Sequence, residues 1–240
     1  MDSSPSQCST YVRGLFDRIA GRYDLLNRVI SLRLDAHWRQ KAVAAALKGD
    51  EKLVLDLGTG TGDLAFMAGR ALGERGKIIG IDFALEMLRL ANAKKRNDRQ
   101  GQKTIFLQAS ALSAPFRDRT FDAALTAFVL RNVADLPLFF AEAHRVLKPG
   151  GKLVSLDMFP PAGSPFSALY SIYFYHLVPW LGACLARDRA AYQYLSDSVR
   201  TFHRPEAVAE MIRQAGFKTV SIGRFLQGAV CMHVAEKAQA

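Results

Sequence analysis

The sequence predicts an α/β fold, with a mostly parallel seven-stranded sheet, helices on both faces and an antiparallel last strand. Three observations predict it. Short β-branched or apolar runs alternate with longer helical patterns through the middle of the chain, which calls for parallel strands joined by crossover helices. A glycine-rich turn follows the first of those runs, and an amphipathic helix followed by two strand-like runs closes the sequence. At 240 residues, 50% of them hydrophobic, the chain can bury the core of one domain without needing a second.

Residues 1–10 include Asp2, Ser3, Ser4, Pro5, Ser6 and Gln7 and lack the basic-then-apolar order of a secretory signal. They read as a disordered tail, and export is not expected. Residues 11–240 are expected to form one domain, with 11–48 as a helical N-terminal part. The strands are predicted at 52–56, 77–82, 104–108, 121–128 and 152–157, with helices at 63–72, 85–95 and 136–146 between them. Gly150 and Gly151 stand as the stop signal between the last of those helices and the fifth strand.

From Phe166 to Ala186 the chain carries no charged residue and is crowded with Tyr, Phe and Leu. Ser167, Ser171, His176, Pro179 and Gly182 interrupt the run, and its tyrosines are scattered instead of gathered at the ends, so a spanning helix is disfavoured. Residues 160–200 are read as an insertion of short helices, broken near Pro179, that covers the carboxyl edge of the sheet and touches a membrane surface transiently. A helix at 205–214, a cap at Gly216 and strands at 217–222 and 229–235 complete the pattern.

The net charge of +10 suits a phosphate-rich partner, nucleic acid or anionic membrane, without choosing between them. Much of it lies at Lys94, Lys95, Arg96 and Arg99, where cations suit the carboxyl end of a helix. The acceptor half is apolar and tyrosine-rich, with no basic groove interleaved with aromatics, so nucleic acid is not expected as a partner. Cys8, Cys184 and Cys231 are far apart and lack a metal-spaced partner; they read as reduced thiols of a cytoplasmic protein, and no metal is expected. Homodimerisation is left open.

Leu53 to Asp63 reads LVLDLGTGTGD, an apolar strand followed by glycines at alternate positions. Glycines here let the backbone turn sharply and approach a ligand closely. Dinucleotide enzymes use such a loop too, but Asp56 stands on the strand before it. That arrangement suits a nucleoside without pyrophosphate whose amino-acid end presents an ammonium. Gly58, Thr59, Gly60, Thr61 and Gly62 are expected to line that cofactor. Asp82 ends the second strand about twenty residues on, where a carboxylate accepts both ribose hydroxyls; a helix cap is its simpler role. Phe83 and Met87 are expected to make apolar contacts. Ser110 and Ala111, in QASALSAPF, fall where an adenine edge is read.

With Asp82 and the RVLKPGG run from Arg145 to Gly151 in place, the chain resembles class I, Rossmann-like methyltransferases over nearly its whole length. It resembles more closely the ubiquinone/menaquinone-biosynthesis C-methyltransferases. Phe16, Asp17, Arg18, Ile19, Ala20, Tyr23, Asp24, Asn27 and Ser31 match that family's N-terminal pattern, Leu130 to Val133 its LRNV, and Tyr192, Tyr194, Leu195, Ser198 and Phe202 a third segment. The resemblance implies S-adenosylmethionine as cofactor and a reduced prenylated quinol, demethylmenaquinol or a polyprenyl-benzoquinol, as acceptor; another small molecule or RNA is the alternative acceptor. It also implies that 11–48 form a lid and that Ala127 lies at the cofactor.

The family usually has His at Asp35, a polar residue at Ala127, Glu at Asp157, Ser at Phe159 and an acidic residue at Leu112. Arg131 is the expected stabiliser of a ring phenolate and Asn132 the residue that orients the second ring oxygen. Tyr23 is expected to line the site. The base is left among Asp157, Asp35, His37 and a water held by Tyr23 or Arg131. His144 reads as a packing or helix-end residue.

Overall fold

The computed structural model describes residues 14–15, 17–21, 24–25, 27–28, 30–98, 101–160 and 189–239, with side chains from 193 onward in the last stretch. Tyr23 and the whole of Phe166 to Ala186 therefore lie outside the described residues, as do the side chain of Tyr192, the tail at 1–10 and most of the expected cover. Among the described residues, no helix is long and apolar enough to cross a membrane.

Helical residues between 14 and 30 precede α1 (Leu34–Ala46). The sheet then builds as β1 (Leu53–Leu57), α2 (Asp63–Ala71), β2 (Lys77–Asp82), α3 (Leu85–Asn97), β3 (Thr104–Gln108), β4 (Phe121–Ala127), α4 (Leu136–Val146) and β5 (Leu147–Met158). It closes with α5 (Arg189–Arg200), α6 (Pro205–Gln214), β6 (Phe217–Phe225) and β7 (Val230–Lys237). The strand order is β3-β2-β1-β4-β5-β7-β6. All neighbours from β3 to β5 pair in parallel, and β7 runs antiparallel to both β5 and β6. The expected sheet is thus the observed one.

Strand side chains alternate between two cores. Leu55, Leu57, Ala124 and Leu153 pack with Phe139 and Phe140 of α4 and Val208 and Ile212 of α6. Val54, Ala123, Leu125 and Val154 pack with Trp38 and Ala42 of α1 and Leu64 and Ala68 of α2. Strands buried on both faces lack polar alternation, which is why they read as continuous apolar runs.

The largest departure from expectation is β5, which begins at Leu147 instead of 152 and runs through Gly150 and Gly151. Pairing slips from Phe121–Leu147 to Ala123–Lys152, so the extra residues bulge out. Gly150 holds φ 75 there. The glycines shape a bulge within the strand and do not mark its start. At α4 the sequence signals hold: Asp135 accepts the Leu138 N–H at 2.9 Å and Pro137 sits in the first turn.

The chain winds outward through β2 and β3 on one side of β1, and through β4 and β5 on the other. That reversal leaves a crevice at the carboxyl ends of β1 and β4, where open α/β sheets take their ligands.

Candidate active site

A cavity of ≈ 320 Å³ fills that crevice. Of the residues expected at the cofactor, Asp56, Gly58, Thr59, Gly60, Thr61, Asp82, Phe83, Met87, Ser110, Ala111 and Ala127 line it. Gly62 does not; it opens α2 at φ 85, where a Cβ would meet Phe106 and Phe66 at 2.8 and 2.9 Å. Gly58 and Gly60 serve differently. A Cβ on Gly58 would come within 2.6 Å of Val129, so this glycine lets β4's exit pack on the loop. Gly60, at φ 55, has open space where a Cβ would be.

Asp82 is almost fully buried. One oxygen accepts the Gly60 N–H at 2.8 Å and the other the Ala84 N–H at 2.8 Å. Burial raises its pKa, and the bonds to the Ala84 and Gly60 amides oppose that rise. A carboxylate has about four acceptor sites, so two remain for ribose hydroxyls. The residue also ties the glycine loop to β2, a task its sequence position did not disclose.

Asp56 lies deeper. Its Oδ2 accepts the Thr59 hydroxyl at 2.7 Å, while Oδ1 has no partner. Full burial pushes its pKa up to about 7, against the lowering effects of Thr59 and the more distant Arg39 charge. A buried carboxylate oxygen with an open valence suits a cationic ligand group.

Arg39 is one of the cavity residues the sequence reasoning missed. It is buried on α1, bonds Asp35 at 3.2 Å and Asp63 at 3.4 Å, and lies 5.2 Å above the Phe128 ring. Its Nε has no partner. Arginine inside a helical pattern reads as surface, and only the tertiary fold turns it inward. Phe128 itself holds φ 63, a strained value for a bulky residue, at the end of β4 where the chain turns into the site.

The expected lid residue Asp24 is held in place. It accepts the Thr61 hydroxyl at 2.6 Å and pairs with Lys94 at 2.5 Å. Lys94 also pairs with Asp63 at 2.6 Å and donates to Thr61 at 2.9 Å. Thr61's hydroxyl is therefore engaged by Asp24 of the N-terminal helical residues. Lys94, expected as a solvated helix-end cation, is instead a hub linking α3, the loop and the N-terminal helix.

The acceptor-side residues are placed differently. Asn132 lines the cavity, whereas Arg131 and Asp157 do not. Arg131 donates to Asp157 Oδ1 at 2.5 Å in a buried pair, and Asp157 also accepts the Met158 N–H at 2.8 Å. Arg131 lines a second, more polar cavity beside α4 and α5. Of the other base candidates, Asp35 is engaged by Ser31 at 2.7 Å and by Arg39, and His37 is exposed. Phe159 is fully buried against Phe202 and His233, filling core instead of facing the acceptor. His144 stacks edge-on with Phe217 at 5.1 Å, a packing role. Among the described residues, no cluster could hold a metal ion.

Comparison with known proteins agrees with this architecture. A demethylmenaquinone methyltransferase of Thermus thermophilus is 43% identical over 93% of this chain and 100% of its own length. A ubiquinone/menaquinone biosynthesis C-methyltransferase of Desulfotalea psychrophila is 43% identical over 92% of this chain and 88% of its own. Among solved structures, an S-adenosylmethionine-dependent methyltransferase of Thermotoga maritima, described as a possible histamine N-methyltransferase, matches the fold with TM-score 0.65 at 20% identity. That match covers 93% of this chain and 99% of that one. The model of the ubiE/COQ5 methyltransferase family matches residues 5–237, and the chain belongs to that family.

Proposed function

We propose that this methyltransferase transfers the methyl group of S-adenosylmethionine to a ring carbon of a reduced prenylated quinol, in menaquinone or ubiquinone biosynthesis. The observation that carries the cofactor half is the pair of unpartnered buried atoms, Asp56 Oδ1 and Arg39 Nε, at one cavity. They fit the ammonium and carboxylate of the cofactor's amino-acid end, with Asp82 taking the ribose and Ser110 and Ala111 beside the adenine. When bound, S-adenosylmethionine supplies an electrophilic methyl group, which bonds to the ring carbon as the carbon–sulfur bond breaks and the ring proton departs.

The protein's own contribution is alignment and dryness. Phe83, Met87, Ala127, Phe128 and Val133 give the cavity apolar walls. Asn132 stands at its acceptor end and meets a ring oxygen. Arg131, paired with Asp157, acts on the acceptor only by holding the Leu130–Asn132 turn that presents Asn132, and the family resemblance counts Tyr23 among the residues expected at the site. The quinol itself is supported by the relatives' names and by the shared LRNV and N-terminal segments. Because a prenylated quinol resides in the bilayer, the protein works as a peripheral visitor to the cytoplasmic membrane face, with 160–200 as the cover that meets the lipid.

The test uses methyl-labelled cofactor, reductant and a demethylated naphthoquinol with a short prenyl tail. Label on the ring carbon is expected. Label on a ring oxygen, or none with the cofactor bound, would remove the proposed acceptor chemistry while leaving the family membership intact.

A further inference from the structure

The acceptor end of the cavity holds one contact that neither the motifs nor the family comparison assigns. Tyr194 of α5 donates its hydroxyl to Asn132 Oδ1 at 3.2 Å, across 62 positions of sequence. The other side of the same amide, Nδ2, faces the Phe128 carbonyl at 3.4 Å. That carbonyl can only accept, so it fixes which end of the amide is nitrogen. Its position is fixed in turn, because the Phe128 N–H donates to Leu156 O at 2.7 Å and the residue holds a left-handed φ of 63.

We propose that Tyr194 is a positioning residue that holds Asn132 in the polarity selected by the Phe128 carbonyl, so that an amide N–H, and not its carbonyl, meets the acceptor. With Oδ1 occupied by the tyrosine proton and one N–H turned to Phe128, the second N–H is left for the ligand in the cavity that Asn132 lines. A donor there favours the ionised ring oxygen, the phenolate whose electrons drive the attack of the ring carbon, and disfavours one that must keep its own proton. The inference rests on the acceptor reading above and adds to it the protonation state of the oxygen that Asn132 recognises.

Tyr194→Phe keeps the ring and removes only the hydroxyl. Turnover should fall about tenfold, the loss expected of one hydrogen bond that acts in the transition state, with quinol KM and cofactor affinity nearly unchanged. The acid limb of the pH–rate profile should move to higher pH, because ionisation of the ring hydroxyl loses its oriented donor. In an Asn132→Ala background the same change should cost little more, since the group it positions is gone. A full tenfold loss in that background, or parallel loss of cofactor affinity, would mark Tyr194 as merely structural and overturn the proposal. A readout without activity is the Asn132 side-chain amide resonances in a nitrogen-15 correlation spectrum. They should shift in Tyr194→Phe, and unmoved resonances would refute the contact. Were wild-type protein inactive on quinols, the acceptor reading would fall, while these resonances would still decide whether Tyr194 orients Asn132.

Discussion

On the β1–β2 side of the cavity, Asp56 and Asp82 are buried carboxylates without a cationic partner in bonding distance, and burial raises both pKa values. On the β4–β5 side, Arg131 and Asp157 are buried as deeply but form an ion pair at 2.5 Å, although Arg131 Nε and Asp157 Oδ2 also lack a hydrogen-bond partner. The same fold thus leaves carboxylates without a cationic partner on the side proposed to hold the cofactor, and pairs them on the side proposed to face the acceptor. Unpaired buried charge is costly, so it survives only where a ligand completes it. Paired buried charge adds little net stability but is costly to break.

Breaking the closed side should have the largest effect. Asp157→Ala strands Arg131 in the interior and should cost about 3–5 kcal/mol in denaturant unfolding. Replacing both partners, Arg131→Met with Asp157→Leu, should restore most of that stability without restoring turnover. A single substitution costing under about 1 kcal/mol would show that the pair is solvated and the contrast with Asp56 false.

On the open side, Asp82→Ala should weaken S-adenosylmethionine binding by tens-fold, since both the proposed ribose contact and the Gly60 anchor are lost. Calorimetry checks this, and unchanged affinity in a folded variant would remove Asp82 from the cofactor site.

Asp56 sharpens the comparison through pH. Its carboxyl is largely uncharged below about 7 and then attracts no ammonium. Cofactor affinity should therefore fall about tenfold from pH 8 to pH 6 and should lose that dependence in Asp56→Asn. Stability without cofactor runs the other way. The folded-state pKa lies above the ordinary 3.8, so ionisation opposes folding, and stability drops as pH rises from about 4 through about 7. Asp56→Asn should thus be more heat-stable than wild type at pH 8 when cofactor is absent.

The smallest effect should come from the contact between the N-terminal helical residues and α3. Lys94 and Asp24 are partly exposed, and such pairs are worth about 0.2–1 kcal/mol. Lys94→Met should speed cofactor release by a few-fold in stopped-flow displacement, with little change in melting temperature. Release at the wild-type rate would mean that the N-terminal helix does not gate the cavity.

The glycine-loop side of the cavity was legible from sequence because its geometry is local. A strand, a glycine loop and a strand-ending acid all follow one another, and the pattern placed Asp56, Gly58, Gly60 and Asp82 correctly at one cavity. The acceptor half depends on contacts between distant segments. Nothing near Arg131 in sequence announces Asp157, twenty-six positions away, as its partner. Nor does a helical pattern show that Arg39 turns inward or that Lys94 reaches back to Asp24. The bulge at Gly150 escaped for a related reason: glycine pairs mark breaks in structure, and the register that absorbs this one is set by β4.

The central claim is tested most directly by comparing one demethylated prenyl naphthoquinone in its oxidised and reduced forms, with cofactor binding followed in the same samples. A quinone ring is electron-poor at its open carbon, whereas the ionising quinol places negative charge there. Methyl transfer should require reductant while S-adenosylmethionine binds equally in both samples. Equal methylation of the oxidised ring would contradict the account.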